Sequence, residues 1–217
     1  MSMLKPSFAL IYSRSILLAA LATGLQPAEL RAQRGRDDWQ RVPDVMAALA
    51  VGEGSYVADV GAGSGYFTEH LARSVGDSGR VFAVDVSERA ISQLRKLARD
   101  EGFENVEVVR GEIDDPKLPQ RSLDAVLVVD SYHEMTEHVA MLAGMYRALE
   151  PGGRLVMLDR APSNPSLPRD RQTSNHDLSI DFAERELREA GFEILERHER
   201  FAERRRNDWQ WMLVARR

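Results

Sequence analysis

The chain has 217 residues, of which 43% are apolar and 29% are charged, as is ordinary for a globular protein with a sizeable core. Its formal net charge of −5 provides no global basic field, so we expect no nucleic-acid partner. The absence of cysteine excludes disulfides, iron–sulfur clusters, thiolate zinc sites and a cysteine nucleophile.

The N-terminal segment has the layout of a secretory leader. Lys5 and Arg14 precede an apolar run at residues 16–22, and small residues suitable for cleavage follow at Ala22 and Ala32. The run is too short to span a bilayer as a helix of the mature chain. These features predict a bacterial signal peptide.

The domain organisation follows from this leader. We expect a signal peptide over residues 1–32, a polar linker over 33–38 and one domain over 39–217, with no stable membrane span in the mature chain. The leader favours an exported or periplasmic protein. The alternative is an amphipathic or disordered leader on a cytoplasmic protein.

From residue 39 onward, helix and strand patterns alternate. Helices are predicted over residues 39–49, 66–75, 87–101, 136–149 and 179–190. Strands are predicted over residues 56–60, 80–84, 106–109, 123–129, 154–158, 192–197 and 209–215. Parallel pairing of the earlier strands needs helical crossovers, whereas the last two are joined by a short charged connection that favours antiparallel pairing. We therefore predict a mostly parallel sheet with its last strand reversed.

Three alternate glycines mark the end of the first predicted strand. Gly61, Gly63 and Gly65 precede a helix, and glycine lets a ligand approach the backbone directly. A dinucleotide-binding loop would have glycine where this chain has Tyr66. The observed spacing suits a ligand without phosphates, whose amino-acid and ribose parts contact the loop. The alternative is a tight structural turn.

An acid follows the second predicted strand. Asp85 lies 20 residues beyond Gly65, where a carboxylate can accept hydrogen bonds from both ribose hydroxyls. The competing interpretation is a helix cap, because Ser87 begins the next predicted helix.

The segment after the third predicted strand supplies candidates for binding an adenine ring. An acidic side chain there can accept a hydrogen bond from the adenine amino group, while a backbone N–H donates to a ring nitrogen. The candidates are Glu112, Ile113 and Asp114, and the residues alone do not rank them. A solvated acidic loop is the alternative.

These segments together resemble a known family. In chain order, VADVGAGSGYF, VFAVD, GEIDD, LDAVLVVDSYHEM and LEPGGRLVMLD resemble the motifs of class I S-adenosylmethionine-dependent methyltransferases, and the likeness covers residues 39–215. The segment at residues 130–134 resembles a bacterial subgroup related to the ubiquinone-biosynthesis type. The resemblance implies an α/β fold, a Rossmann-like three-layer sandwich with a seven-stranded sheet of order 3-2-1-4-5-7-6.

The resemblance also implies roles for individual residues. S-adenosylmethionine would be the cofactor, with the three glycines lining its methionine part. Asp59 would orient the loop, and Asp85 would hold the ribose. The remaining residues of the expected cofactor site are Val86, Glu112, Ile113, Asp114 and Asp130.

The reaction that the resemblance implies is an in-line displacement, so the protein mainly aligns the reacting atoms. An oxygen acceptor also needs its proton removed, and histidine is a suitable base. His133, just past the fourth predicted strand, is the candidate for a base or an acceptor ligand, and Tyr132 is the candidate for lining the acceptor pocket. The alternatives are a histidine hydrogen-bonded to the backbone and a tyrosine that simply packs.

A metal-assisted reaction is not expected. Asp130 and Asp159 follow neighbouring strands and could hold a hard cation, as in catechol-type methyltransferases. The amide ligand that follows the second acid in that family is replaced by Arg160. We therefore predict no metal site.

The expected acceptor is a small molecule methylated at oxygen or carbon. The missing cysteines argue against arsenite, and Asp130-Ser131-Tyr132-His133 lacks the prolines typical of amino-methylating nucleic-acid enzymes. Two other functions stay open: a non-catalytic S-adenosylmethionine-binding module and an NAD(P)-dependent oxidoreductase.

Overall fold

The computed structural model describes residues 35–217, so the predicted leader and the start of the predicted linker lie outside the described residues. Residues 35–39 are helical, although the sequence indicates a linker as far as residue 38. Residues 40–217 form one compact unit. No helix within residues 35–217 has both the length and the apolar character that crossing a membrane requires.

The elements alternate along the chain much as the hydrophobic pattern predicts. The helices are α1 (Val42–Leu49), α2 (Tyr66–Val75), α3 (Glu88–Glu101), α4 (His138–Ala148), α5 (Arg169–Ser174) and α6 (Ile180–Glu189). The strands are β1 (Tyr56–Val60), β2 (Arg80–Asp85), β3 (Val106–Arg110), β4 (Leu123–Val129), β5 (Leu149–Arg160), β6 (Glu193–Arg205) and β7 (Asp208–Arg216). A single 3₁₀ turn, Tyr132–Glu134, separates β4 from α4.

The seven strands form one sheet of order β3-β2-β1-β4-β5-β7-β6, which confirms the predicted fold. β1 pairs in parallel with β2 and β4, and the same direction extends outward to β3 and β5. β7 runs antiparallel to both β5 and β6. Helical crossovers connect the parallel neighbours, so the carboxyl ends of β1, β2 and β4 meet at one edge of the sheet.

The core lies on both faces of the sheet. On one face the sheet packs against α1 and α2, and on the other against α4 and α6. Along β4, Val126 and Val128 contact one apolar cluster, whereas Ala125 and Leu127 contact the other. Because both faces are covered, β4 reads as an almost continuous apolar run.

The largest boundary differences from those that the sequence indicates lie at β5 and at the β6–β7 hairpin. β5 begins at Leu149 instead of residue 154, because Leu149 is already extended and pairs with Leu123 before a register shift. The β6–β7 hairpin is also longer, and only Arg206 and Asn207 connect the two strands. Buried Phe201 keeps this charged stretch of β6 in the sheet.

Candidate functional site

A cavity of about 280 Å³ opens at the carboxyl ends of β1, β2 and β4. Its size lies near the lower end of the range for small-molecule sites. Its lining combines glycine backbone, acidic side chains and apolar side chains: Val60, Gly61, Gly63, Val84, Asp85, Val86, Gly111, Glu112, Ile113, Asp130, Ser131, Glu134, Met135, Thr136 and Met141. The cavity therefore gathers most of the residues that the sequence assigns to a cofactor site.

The first glycine of the loop permits close contact between β1 and the segment after β4. Gly61 has a φ of +77°, and a Cβ built on it would lie 2.5 Å from the Cβ of Ser131. The Ser131 hydroxyl donates a hydrogen bond to the Val60 carbonyl at 3.2 Å. A side chain at Gly61 would therefore push these two walls of the cavity apart.

The second glycine and the acid of β2 are directly linked. The Gly63 N–H donates to Asp85 Oδ2 at 2.9 Å, and the Ser87 N–H donates to Asp85 Oδ1, also at 2.9 Å. Each carboxylate oxygen has two acceptor positions, so both oxygens can accept one further hydrogen bond. Asp85 thus bonds the N–H of Ser87, the residue that caps α3, without itself capping a helical N–H, and it still has the capacity to bind two hydroxyls.

Gly65 and Asp59 lie beneath the loop and outside the cavity lining. A Cβ on Gly65 would meet the Leu94 side chain of α3 at 3.0 Å, so this glycine serves helix packing. Asp59 is buried and accepts a hydrogen bond of 2.6 Å from the Thr68 hydroxyl in the first turn of α2. This carboxylate places negative charge at the helix N-terminus, the position that a pyrophosphate occupies in dinucleotide enzymes.

The wall formed by the segments after β2 and β3 is mainly apolar. Val86 is 49% exposed and Ile113 is 64% exposed, and both line the cavity. Exposed apolar side chains beside a cavity suit the flat face of an aromatic ring. Glu112 also lines the cavity and forms an ion pair with Lys117 at 3.2 Å, whereas Asp114 does not line it.

Asp130 stands where the chain leaves β4. Its φ of +52° is in the left-handed region, and its N–H donates to the Leu158 carbonyl at 2.9 Å. Its Oδ1 accepts a hydrogen bond from the Gln210 amide at 2.5 Å. Asp130 lines the cavity, where the sequence places a residue of the cofactor site. No sequence pattern predicts its hydrogen bond with Gln210 of β7.

Tyr132 lies in the core and does not line this cavity, which agrees with the packing alternative. Its hydroxyl donates to Glu186 Oε2 at 2.7 Å. Burial, and then the negative charge of Glu186, raise the pKa of Tyr132 far above its ordinary value. The side chain therefore stays protonated and links the segment after β4 to α6.

His133 is held by an acid of β5. Its Nδ1 lies 2.7 Å from Asp159 Oδ1, and its backbone N–H donates to Asp159 Oδ2 at 2.9 Å. Burial lowers the pKa of His133, but the hydrogen bond and charge of Asp159, with the charges of Glu134 and Asp130, outweigh it and raise the pKa above its usual value. When the ring is neutral, Asp159 favours a proton on Nδ1, which leaves the Nε2 lone pair free.

The free nitrogen of His133 faces two further side chains. Its Nε2 lies 3.7 Å from Glu134 Oε1, and the same oxygen lies 3.7 Å from His176 Nδ1. The His133 and His176 rings are perpendicular, with centroids 5.7 Å apart. His133 is absent from the cavity lining, but neighbouring Glu134 belongs to it. His176 reaches the cluster from a loop that is distant in sequence, which no local pattern predicts.

A second cavity of about 480 Å³ lies beside the β6–β7 hairpin. Its lining includes Asp177, Arg160, Trp209 and Trp211. Trp211 is fully buried and donates its indole N–H to the Leu178 carbonyl at 2.6 Å, which agrees with strand packing. Glu134 of the cluster lines the first cavity, and Asp177, which follows His176 in the sequence, lines the second.

Comparison with known families shows what the domain is similar to. Residues 57–153 match the family model described as a methyltransferase domain. The demethylmenaquinone methyltransferase of Listeria welshimeri is 28% identical over 137 residues, which are 63% of this chain and 56% of that protein. The ubiquinone/menaquinone biosynthesis C-methyltransferase UbiE of an Enterobacter strain is 33% identical over 122 residues, which are 56% of this chain and 48% of that protein. The chain thus spans about half the length of these curated relatives.

Solved structures share the fold. A SAM-dependent methyltransferase from Aquifex aeolicus superposes with a TM-score of 0.72 at 23% identity, covering 83% of this chain and 92% of that one. The [4+2]-cyclase SpnF gives a TM-score of 0.69 at 20% identity, covering 82% of this chain and 80% of that one. Because a protein named as a cyclase has the same architecture, the reaction has to be argued from the site.

Proposed function

We propose that the protein transfers a methyl group from S-adenosylmethionine to a small-molecule acceptor, because residues 57–153 match a methyltransferase-domain family and the cavity fits this cofactor. The observation that carries this proposal is the cavity in which Gly63, Asp85 and Ile113 come together. These three residues supply the contacts that a nucleoside joined to an amino acid requires: bare backbone, a hydroxyl acceptor and an apolar wall.

The geometry fits such a ligand at each part. Asp85 retains acceptor capacity on both oxygens for a ribose diol. Val86 and Ile113 present exposed apolar surface for an adenine ring, and Glu112 lies beside them for its amino group. A Cβ built on Gly63 would meet no atom within 4 Å, so the backbone is open to the ligand there. S-adenosylmethionine supplies a sulfonium-bound methyl group that is already electrophilic.

An NAD(P)-dependent function is less well supported. Tyr66 occupies the third glycine position of the dinucleotide pattern and begins α2. Asp59 already places a carboxylate against the first turn of this helix. A pyrophosphate at the same helix end would be repelled by that charge.

The residues after β4 form the side where the acceptor approaches. Glu134, Met135 and Met141 line the cavity and offer one acid among apolar groups. The names of two relatives, a demethylmenaquinone methyltransferase and a C-methyltransferase, support transfer to carbon, on a quinone-type ring. We extend that to this chain as methylation of a phenol- or hydroquinone-like acceptor, with oxygen as the alternative site. The Nε2 lone pair of His133 can withdraw the acceptor's proton or bind a metal ion, but not both.

Binding is tested by calorimetry on the full-length chain with S-adenosylhomocysteine and, separately, NADH. We expect micromolar affinity for the first ligand only. Asp85→Ala should weaken binding by about 1–3 kcal/mol, since charge-assisted hydrogen bonds are lost. Asp114→Ala is the matched control, because this acid lies in the neighbouring segment outside the cavity lining. Binding of NADH alone, or equal affinity in Asp85→Ala and the wild type, would contradict the proposal.

Turnover is tested by transfer of a labelled methyl group to a panel of phenols and hydroquinones. His133→Ala should retain S-adenosylhomocysteine affinity and lose most of the transfer rate. Nuclear magnetic resonance of the product distinguishes a carbon-bound from an oxygen-bound methyl group. Tight cofactor binding without transfer to any member of the panel would favour the non-catalytic binding module.

A further inference from the structure

Two histidines and one glutamate converge beside the cavity. The potential ligand atoms of His133, Glu134 and His176 all lie within 4.8 Å of one another. Glu134 Oε1 is 3.7 Å from a nitrogen of each histidine. Bond lengths of about 2.0–2.1 Å at tetrahedral angles put zinc ligands about 3.4 Å apart. Small rotations of exposed side chains therefore suffice to bring the three groups around one ion.

The buried histidine is already oriented as a ligand. Asp159 contacts its Nδ1 at 2.7 Å and also binds its backbone N–H. A carboxylate on the remote ring nitrogen of a metal-binding histidine fixes the tautomer and increases the basicity of the other nitrogen. His133 Nε2, the nitrogen that faces Glu134, is the one that this arrangement frees for coordination.

The second histidine is held in place by its backbone. His176 has a φ of +56°, and its N–H donates to the Thr173 carbonyl at 3.0 Å in the turn that ends α5. A left-handed conformation in a non-glycine residue costs free energy and is retained where the surroundings determine it. The His176 side chain itself is 69% exposed, so an ion can enter from solvent.

A buried acid follows His176 in the sequence. Asp177 is only 8% exposed, and its Oδ1 is buried without a hydrogen-bond partner among residues 35–217. An unsatisfied buried oxygen is costly, and an ion or its bound water is one way to satisfy it. Burial raises the pKa of Asp177 above its usual value, although the charges of Arg160 and His133 oppose this.

We propose that His133, Glu134 and His176 bind one divalent transition-metal ion of the zinc type. Two imidazoles and one carboxylate are the ligand set of several catalytic zinc sites, whereas magnesium and calcium prefer oxygen ligands. Three protein ligands leave one coordination position open. Glu134 places the ion at the edge of the cavity at the carboxyl ends of β1, β2 and β4. This site differs from the Asp130–Asp159 pair that the sequence offers for a hard cation. Asp130 accepts a hydrogen bond from Gln210, and Asp159 contacts His133 Nδ1, the ring nitrogen that does not face Glu134.

The test is metal binding by the full-length chain, freed of metal with a chelator and then dialysed. Calorimetric titration with Zn²⁺ should show one equivalent bound, and Co²⁺ should give stronger visible absorption than the aqueous ion. Mg²⁺ should give no saturable heat. His176→Ala and Glu134→Gln should each weaken Zn²⁺ binding by at least about 10–100-fold, the loss typical of removing even an outer partner of a metal site.

His198→Ala is the matched control, because His198 also lies beside a carboxylate, that of Glu196 at 2.9 Å, but on β6. Its Zn²⁺ affinity should equal that of the wild type. Absence of stoichiometric binding, equal binding of Mg²⁺, or equal affinities in His176→Ala and His198→Ala would each overturn the site. Retention of S-adenosylhomocysteine binding without Zn²⁺ binding refutes this inference and leaves the proposed function intact.

Discussion

Alanine substitutions at Gly61 and Gly63 should separate folding from ligand binding within one loop. Both residues have positive φ, +77° and +57°, so a side chain at either costs about 1–2 kcal/mol of backbone strain. At Gly61 the added Cβ also lies 2.5 Å from the Cβ of Ser131, an overpacking that costs a further 1–3 kcal/mol by order of magnitude, about that of inserting a methylene into a core. At Gly63 it meets nothing within 4 Å.

We therefore expect Gly61→Ala to lower the free energy of unfolding by about 2–5 kcal/mol, and Gly63→Ala by about 1–2 kcal/mol. Gly63 lines the cavity, so its added methyl group should weaken S-adenosylhomocysteine binding more than it weakens the fold. Denaturant unfolding measures the first quantity, and calorimetry of the folded variants measures the second.

A second substitution checks the steric part of this argument. Ser131→Gly in the Gly61→Ala background removes both atoms that the new Cβ would meet most closely. The double variant should regain the stability lost to overpacking, about 1–3 kcal/mol, but not the stability lost to backbone strain. Equal destabilisation by Gly61→Ala and Gly63→Ala, or no recovery in the double variant, would refute the reasoning.

Two further predictions concern side chains outside the cavity. Tyr132→Phe removes the hydrogen bond to buried Glu186, so the free energy of unfolding should fall by about 1–3 kcal/mol while S-adenosylhomocysteine affinity stays unchanged; an equal loss of both would mean that Tyr132 shapes the site. Hydrogen bonds from Arg188 and Arg197 hold the pKa of Glu184 below its usual value, so its stabilising contribution is present above the unfolded-state pKa of about 4.3 and is lost as the pH falls through the lower folded-state value. Glu184→Gln should therefore cost up to about 1 kcal/mol at pH 7 and progressively less towards pH 3 in denaturant unfolding, whereas a pH-independent cost would contradict this origin.

The sequence predicts the features that local patterns specify. Apolar runs separated by helical periodicity locate the strands along the chain, and alternate glycines locate the loop after β1, whereas the strand order follows from the family resemblance. The start of β5 was placed too late, because Pro151 and two glycines are typical of a turn and do not show that Leu149 already pairs with Leu123. Pairing across a bulge depends on the neighbouring strand, which no local pattern contains.

The candidate site shows the same limit at the level of side chains. Asp85 could be assigned because its position at a strand end fixes its place on the sheet edge. Tyr132 and His133 are adjacent in sequence, yet one binds Glu186 on α6 and the other Asp159 on β5. Their roles follow from partners 54 and 26 residues away, so residue type and spacing alone left both with two interpretations.

The turn after β4 connects the glycine loop after β1 with the cluster of His133, Glu134 and His176. The left-handed conformation of Asp130 reverses the chain so that Ser131 bonds the end of β1 while His133 bonds β5. Such a conformation costs about 1–2 kcal/mol, and the hydrogen bond from Gln210 to Asp130 offsets part of that cost. Displacing Ser131, as a side chain at Gly61 would, therefore moves the backbone that holds His133. A side chain at Gly61, in the loop after β1, should thus alter Zn²⁺ affinity.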